Sequence, residues 1–281
     1  MKWLLALVVM AGALVSPVPV QAVSTDAPVP IPRKGADASW PNCPKGMGIP
    51  SRRTLGLPMP KKHAKFVILG MTNGPGFYPN PCLARQVNWA RKRGMYVGTY
   101  AMTTYPKRKQ LKAYGSEGPW PATTLRNRLR NAGFAQAQFN LDTMGKVGID
   151  SKFMWVDVEP YSVAPWTSKR KRNKAVLDGV LRGYKDAGLD VGLYTSPSPW
   201  RDIIGNVRYG LPEWRTAGGH PWSNTDYSDA RRMCRVSSVQ GGQILVAQWW
   251  DTKRDYDLLC PVARTSARVD RLFTWMAADD R

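Results

Sequence analysis

Histidine is nearly missing from this 281-residue chain, which has only His63 and His220. Neither belongs to a His-Glu-x-x-His helix or to a Cys/His cluster of zinc spacing, which argues against a catalytic metal. A Ser-His-Asp or Cys-His site would need one of those two imidazoles beside a nucleophile. No glycine loop of the kind that cradles phosphate is present, no internal repeat is found, and no cofactor is implied. Past residue 15, no stretch reaches the roughly 18 uninterrupted apolar residues of a membrane helix. Acids are scarce beside bases, 20 against 41, for a formal net charge of +21. A field of that sign gathers polyanions.

Cysteine is sparse but even in number: Cys43, Cys82, Cys234 and Cys260. The first 22 residues read as an export signal. Lys2 precedes an apolar run from Leu4 to Val15, too short to span a bilayer, and Pro17-Val18-Pro19 leads to a small-residue cleavage pattern, Val20-Gln21-Ala22. Export to an oxidising compartment turns four cysteines into two expected disulfides. Of the three pairings, Cys43 with Cys82 and Cys234 with Cys260 is preferred, because each pair follows elements expected to be neighbours. Residues 23–34 are a proline-rich leader, and 35–281 have the length of a single α/β barrel domain with no internal linker.

Short apolar runs alternate with longer stretches of helical spacing. That pattern predicts parallel strands joined by crossover helices, a (β/α) TIM-type barrel. Strands are expected at residues 35–39, 66–72, 95–101, 153–158, 191–195, 213–217 and 244–249, and helices at 81–93, 123–144 and 169–187. Gly94 and Gly188 stand where left-handed residues would end two of the helices.

With metals and histidines set aside, carboxylates are the available catalysts. The strand Phe153-Met154-Trp155-Val156 runs into Asp157-Val158-Glu159. Residues two apart on a strand share a face, so Asp157 and Glu159 would project together at its C-terminal end, where β/α barrels carry their sites. One such acid can protonate a glycosidic oxygen while the other stabilises positive charge on the sugar. Asp37 ends the first strand, and Asp255 and Asp257 follow the last. Trp40, Tyr100, Tyr194, Trp200, Trp249 and Trp250 lie at or just after strand ends, as rings lining a glycan cleft would. Two basic runs, Lys107-Arg108-Lys109 with Lys112 and Lys169-Arg170-Lys171-Arg172 with Lys174, lie beside no nucleic-acid reading motif. They read as solvated faces, or as docking for an anionic wall polymer.

The order of these motifs resembles glycoside hydrolase family 25, and within it a secreted actinobacterial branch. Gly35-Ala36-Asp37-Ala38-Ser39-Trp40-Pro41-Asn42-Cys43 is similar to the family's opening motif, Val97-Gly98-Thr99-Tyr100 to its third strand, and Val156-Asp157-Val158-Glu159 to its catalytic Asp-x-Glu. Gly192-Leu193-Tyr194-Thr195 resembles the fifth strand, and Asp255-Tyr256-Asp257-Leu258 the closing motif, with Arg254 where the family has Val. The resemblance implies a secreted, cell-wall-associated, monomeric muramidase that cleaves the N-acetylmuramic acid to N-acetylglucosamine β-1,4 bond of peptidoglycan with retention. Glu159 would then be the acid/base and Asp157 the stabiliser of the oxazolinium or oxocarbenium-like centre, with Asp37 and Asp255 orienting water and substrate. Asp257 fits the last position as well as Asp255, which is preferred. Tyr100, Tyr194, Gln248, Trp250, Asp257 and Trp40 would contact substrate. Two alternatives stay open: a non-catalytic glycan-binding barrel, and a glycosidase for another polysaccharide.

Overall fold

Continuous apolar runs such as Phe66–Leu69 and Phe153–Val156, whose side chains alternate between the two faces of the strand, build a barrel with two hydrophobic layers. The computed structural model describes residues 30–218 and 225–278. The expected export signal and most of the leader, residues 23–29, lie outside those residues, as does His220. From Ile31 onward the chain forms one compact unit.

The elements run β1 (Lys34–Ala38), a 3-10 turn (Trp40–Asn42), β2 (Gly48–Ile49), β3 (Arg52–Arg53), β4 (Phe66–Gly70), α1 (Leu83–Arg91), β5 (Met95–Met102), α2 (Arg108–Tyr114) and α3 (Leu125–Lys146). They continue with β6 (Phe153–Asp157), α4 (Arg170–Asp186), β7 (Asp190–Tyr194), α5 (Pro197–Ile203), β8 (Glu213–Thr216) and α6 (Tyr227–Met233). Last come β9 (Ile244–Trp250), β10 (Asp255–Leu259), a second 3-10 turn (Pro261–Ala263), α7 (Ser266–Leu272) and β11 (Thr274–Met276). Eight strands close in the order β5-β4-β1-β10-β9-β8-β7-β6, with β6 returning to β5, and β11 adds to the lower half of β5.

All seven expected strands and all three expected helices are present within a few residues of their expected ends, and Gly94 and Gly188 have φ of +53° and +81°. An all-parallel sheet was expected, and two strands depart from it: β11, added antiparallel to β5 outside the closed barrel, and β10 within it. β10 runs antiparallel between β1 and β9. Its connection to β9 is the turn at 251–254, closed by Asp251 Oδ1 accepting from the amides of Lys253 and Arg254, and it is far too short for a crossover. This reversal puts Asp255 at the mouth, in register with both Asp37 and Trp250.

Inside the barrel, Phe66, Ile68, Phe153, Trp155, Trp214 and Val246 fill the lumen; outside, Val67, Leu69, Met154, Val156, Leu177 and Val180 pack strands against helices. Gly192 and Gly70 make the aromatic filling possible. A Cβ on Gly192 would lie 2.3 Å from the Trp155 ring, and one on Gly70 2.8 Å from that of Tyr100. The two expected disulfides, Cys43–Cys82 and Cys234–Cys260, are both formed. Among the described residues, no helix is long and apolar enough to cross a membrane.

Candidate active site

Five carboxyls converge at the C-terminal ends of the parallel strands. Asp37 comes from β1, Asp157 ends β6, Glu159 follows two residues later, and Asp255 and Asp257 are the first and third residues of β10. The inward face that holds Phe153 and Trp155 continues to Asp157, so the strand's own alternation delivers the acid to the lumen. Glu159 lies beyond the strand, but its backbone is fixed. Trp166 Nε1 donates to the Glu159 carbonyl at 3.0 Å, Thr195 Oγ1 donates to the Val158 carbonyl at 2.8 Å, and the Val158 amide donates to the Tyr194 backbone carbonyl.

Hydrogen bonds tie the acids to the aromatic lining. Tyr194 donates its hydroxyl to Gln248 Oε1 at 2.8 Å, and Gln248 Nε2 donates to Asp37 Oδ2 at 2.7 Å. Below them, Trp214 Nε1 donates to Asp257 Oδ1 at 2.9 Å. Trp214 also packs edge-on against Tyr100, Tyr194 and Trp155. Asp157 Oδ1 is buried without a hydrogen-bond partner.

Burial among other acids makes each carboxyl hold its proton more tightly. Removal from solvent, then the charge of Asp255, pushes Glu159 up to about 7 against an opposing pull from Arg52. Asp255, although partly open to solvent, is crowded by protein and by Asp251 and rises to about 6. Burial, Glu159 and Asp37 drive Asp157 well above the usual carboxylate range. Asp37 rises through burial and Asp255, and Asp257 through burial, Asp37 and Asp255. Near neutral pH the cluster therefore holds fewer negative charges than acids. Such a cluster can both give a proton and receive positive charge.

A cleft of 730 Å³ opens beside Glu159, lined also by Arg52, Tyr161, Trp166 and Asp202. Arg52 reaches it from the β2–β3 hairpin, with its guanidinium 4.4 Å from the ring centroids of both Trp40 and Tyr161.

Of the residues expected from the sequence, Asp37, Asp157, Glu159, Asp255, Tyr100, Tyr194 and Gln248 gather at the mouth. Trp250 stands there beside Asp255, and Trp40 holds Arg52. Three placements correct the expectation. Asp257, expected to contact substrate, is fully buried beneath Asp37, because its register is two residues deeper. Trp249 points outward and stacks on Tyr256, because Gln248 and Trp250 take the inward positions. Trp200 is buried in α5, bonded to the Val207 carbonyl and packed in the outer core.

Sequence reasoning missed Trp214, Tyr161, Trp166 and Arg52. Strand parity could have found Trp214. Nothing in the pattern marks Arg52, which sits on a two-residue strand.

Comparison with known proteins adds a partial likeness in sequence and a broad one in fold. The family model described as "Lysozyme-like protein 1" matches residues 123–216, from just before α3 to the end of β8. Two curated proteins of Dictyostelium discoideum are similar: probable family 25 lysozyme 5 is 30% identical over 93 residues (33% of this chain and 39% of the relative), and probable family 25 lysozyme 4 is 32% identical over 63 residues (22% and 28%). Those matches span well under half the length of either relative. A family 25 lysozyme from Aspergillus fumigatus superposes with a TM-score of 0.53 over 85% of this chain and 98% of its own, at 15% identity, a likeness of fold. Residues 123–216 are thus similar to a lysozyme-like family model, parts of the chain are similar to two family 25 lysozymes, and the barrel as a whole has the fold of a family 25 lysozyme.

Proposed function

We propose that the protein is a muramidase that hydrolyses the β-1,4 bond between N-acetylmuramic acid and N-acetylglucosamine in peptidoglycan, with retention. The observation that carries this reading is Glu159, a cleft carboxyl raised to about 7 and set beside Asp157 at the barrel mouth. A general acid works best when its pKa lies near the operating pH, and Glu159 meets that condition.

Glu159 protonates the leaving glycosidic oxygen. As positive charge grows on the sugar, it favours ionised Asp157, whose unpartnered oxygen is free to face it. Asp37, fixed by Gln248, and Asp255 orient the groups around the reacting carbon, and Glu159, now a base, draws the proton from the incoming water. Tyr100, Tyr194 and Trp250 line the sugar path. Two disulfides suit an extracellular protein, and the excess of basic residues would draw it to anionic wall polymers.

Mass spectrometry of fragments released from purified peptidoglycan tests the assignment, with Glu159→Gln run beside the wild type. Reducing N-acetylmuramic acid ends are expected from the wild type alone. Reducing N-acetylglucosamine ends, or no fragments from a folded protein that still sediments with the wall, would overturn it.

A further inference from the structure

Among the described residues, Arg52 is the only cation that lines the cleft beside Glu159. It makes no ion pair among the described residues, and its Nε is buried with no hydrogen-bond partner. Its place is built. The rings of Trp40 and Tyr161 hold the guanidinium, Asn73 Nδ2 donates to the Arg52 carbonyl, and Asn73 Oδ1 accepts from the Ile49 amide on the facing strand. Gly48, at φ +82°, lets Asn73 come this close, since a Cβ there would lie 2.4 Å from Asn73 Oδ1. The Cys43–Cys82 disulfide fixes the chain just before the hairpin.

A guanidinium seated over two rings, with no carboxylate partner among the described residues, keeps N–H donors for a planar anion. Serving Glu159 would not explain it. Arg52 pulls the Glu159 carboxyl toward ionisation, against the acid role, and burial overrides that pull. A mouth lined by acids would also repel any anionic substituent on the incoming glycan unless a cation met it there.

Resting on the muramidase reading, we propose that Arg52 is a specificity residue that binds a carboxylate on the O3 substituent of the sugar in the cleft. The site thereby separates acidic muramyl glycans from neutral β-1,4 N-acetylglucosamine polymers. The carboxylate is either the lactyl acid of a peptide-free strand or an acid of the attached peptide.

Calorimetric binding to the full chain carrying Glu159→Gln, which leaves strands uncut, tests this. The probes are a peptide-free glycan tetrasaccharide, a peptide-bearing one, and the carboxamide form of each. Acid forms should bind about ten- to a hundredfold more tightly than their amides, and adding Arg52→Gln should abolish that preference. The pair that shows the preference identifies the carboxylate. Arg52→Lys, which keeps the charge but loses the fork, should retain part of it, and it serves if Arg52→Gln does not fold. Equal binding of acid and amide forms, or an equal loss on both in Arg52→Gln, would overturn the proposal. A wild-type protein that cuts neither strand while the preference persists would remove the muramidase reading alone.

Discussion

At the scale of single residues, the site is costly because its acids are buried together. Glu159 binds its proton more tightly folded than unfolded, with a pKa moving from 4.5 to about 7. A raised carboxyl contributes stability that is complete below its unfolded value and is lost as pH rises through its folded one. Asp255, moving from 3.8 to about 6, acts in the same direction. The barrel should therefore melt at lower temperature at pH 8 than at pH 5. Replacing Glu159 with Gln removes its share, so urea unfolding should show the variant gaining about 2 to 3 kcal/mol on the wild type between pH 4.5 and pH 8. A constant difference across that range would mean that Glu159 titrates as an ordinary surface acid. Activity should carry the same signature: an alkaline limb near pH 7 in kcat/KM, reported by the coupled cluster rather than by Glu159 alone.

At the scale of elements, α3 and α4 meet almost backbone to backbone. A Cβ on Gly133 would lie 2.0 Å from the Val176 carbonyl oxygen, and one on Gly179 1.9 Å from that of Arg130. Helix propensity favours Ala over Gly by about 1 kcal/mol, but a clash with backbone cannot be relieved by a rotamer change, so overpacking wins. Gly179→Ala should destabilise by about 2 to 3 kcal/mol, whereas Gly145→Ala, on the exposed end of α3 with nothing within 4 Å, should be neutral or stabilising. Thermal melts of the two variants decide this, and similar effects would refute the close-packing account. The damage should reach the cleft. Asn173 of α4 donates to the carbonyls of Thr167 and Ile203, so moving α4 loosens the loop that holds Glu159.

The elements that sequence reading found share one property: their apolar period is set by burial on a whole face. β6 shows it as Phe153 to Val156, and α4 as Val176, Leu177, Val180 and Leu181. The elements it missed lack that signal. β10 alternates Asp255, Tyr256 and Asp257 because its inward face serves the site, so the acids were legible while the strand was not. The short helices α2, α5, α6 and α7 have seven residues each, fewer than two full turns with which to display a period. The β2–β3 hairpin is two residues a side and is held by Asn73 and Thr54, contacts that no local pattern encodes.

At the scale of the whole molecule, a strongly basic protein surrounds an acidic mouth. The net charge of +21 is concentrated in places, and one of them borders the cleft: a trough of 500 Å³ lined by Ser168, Lys169, Arg170, Lys171 and Asp202 shares Ser168 and Asp202 with it. Arg170, Lys171 and Arg172 also occupy the first turn of α4, which has no side-chain cap. Cations at the positive end of a helix dipole cost up to about 1 kcal/mol each at low salt, so this arrangement works against the helix and in favour of an approaching polyanion. Replacing Lys169, Arg170 and Lys171 with Gln should raise the melting temperature at low salt and leave kcat on short soluble fragments unchanged. On intact walls, kcat/KM of the wild type should fall about tenfold from 20 to 300 mM salt, as the Debye length shrinks below about 10 Å, and the triple variant should start lower and fall less. If instead the variant and the wild type show the same salt dependence, these cations belong to a solvated face and the wall is met elsewhere on the surface.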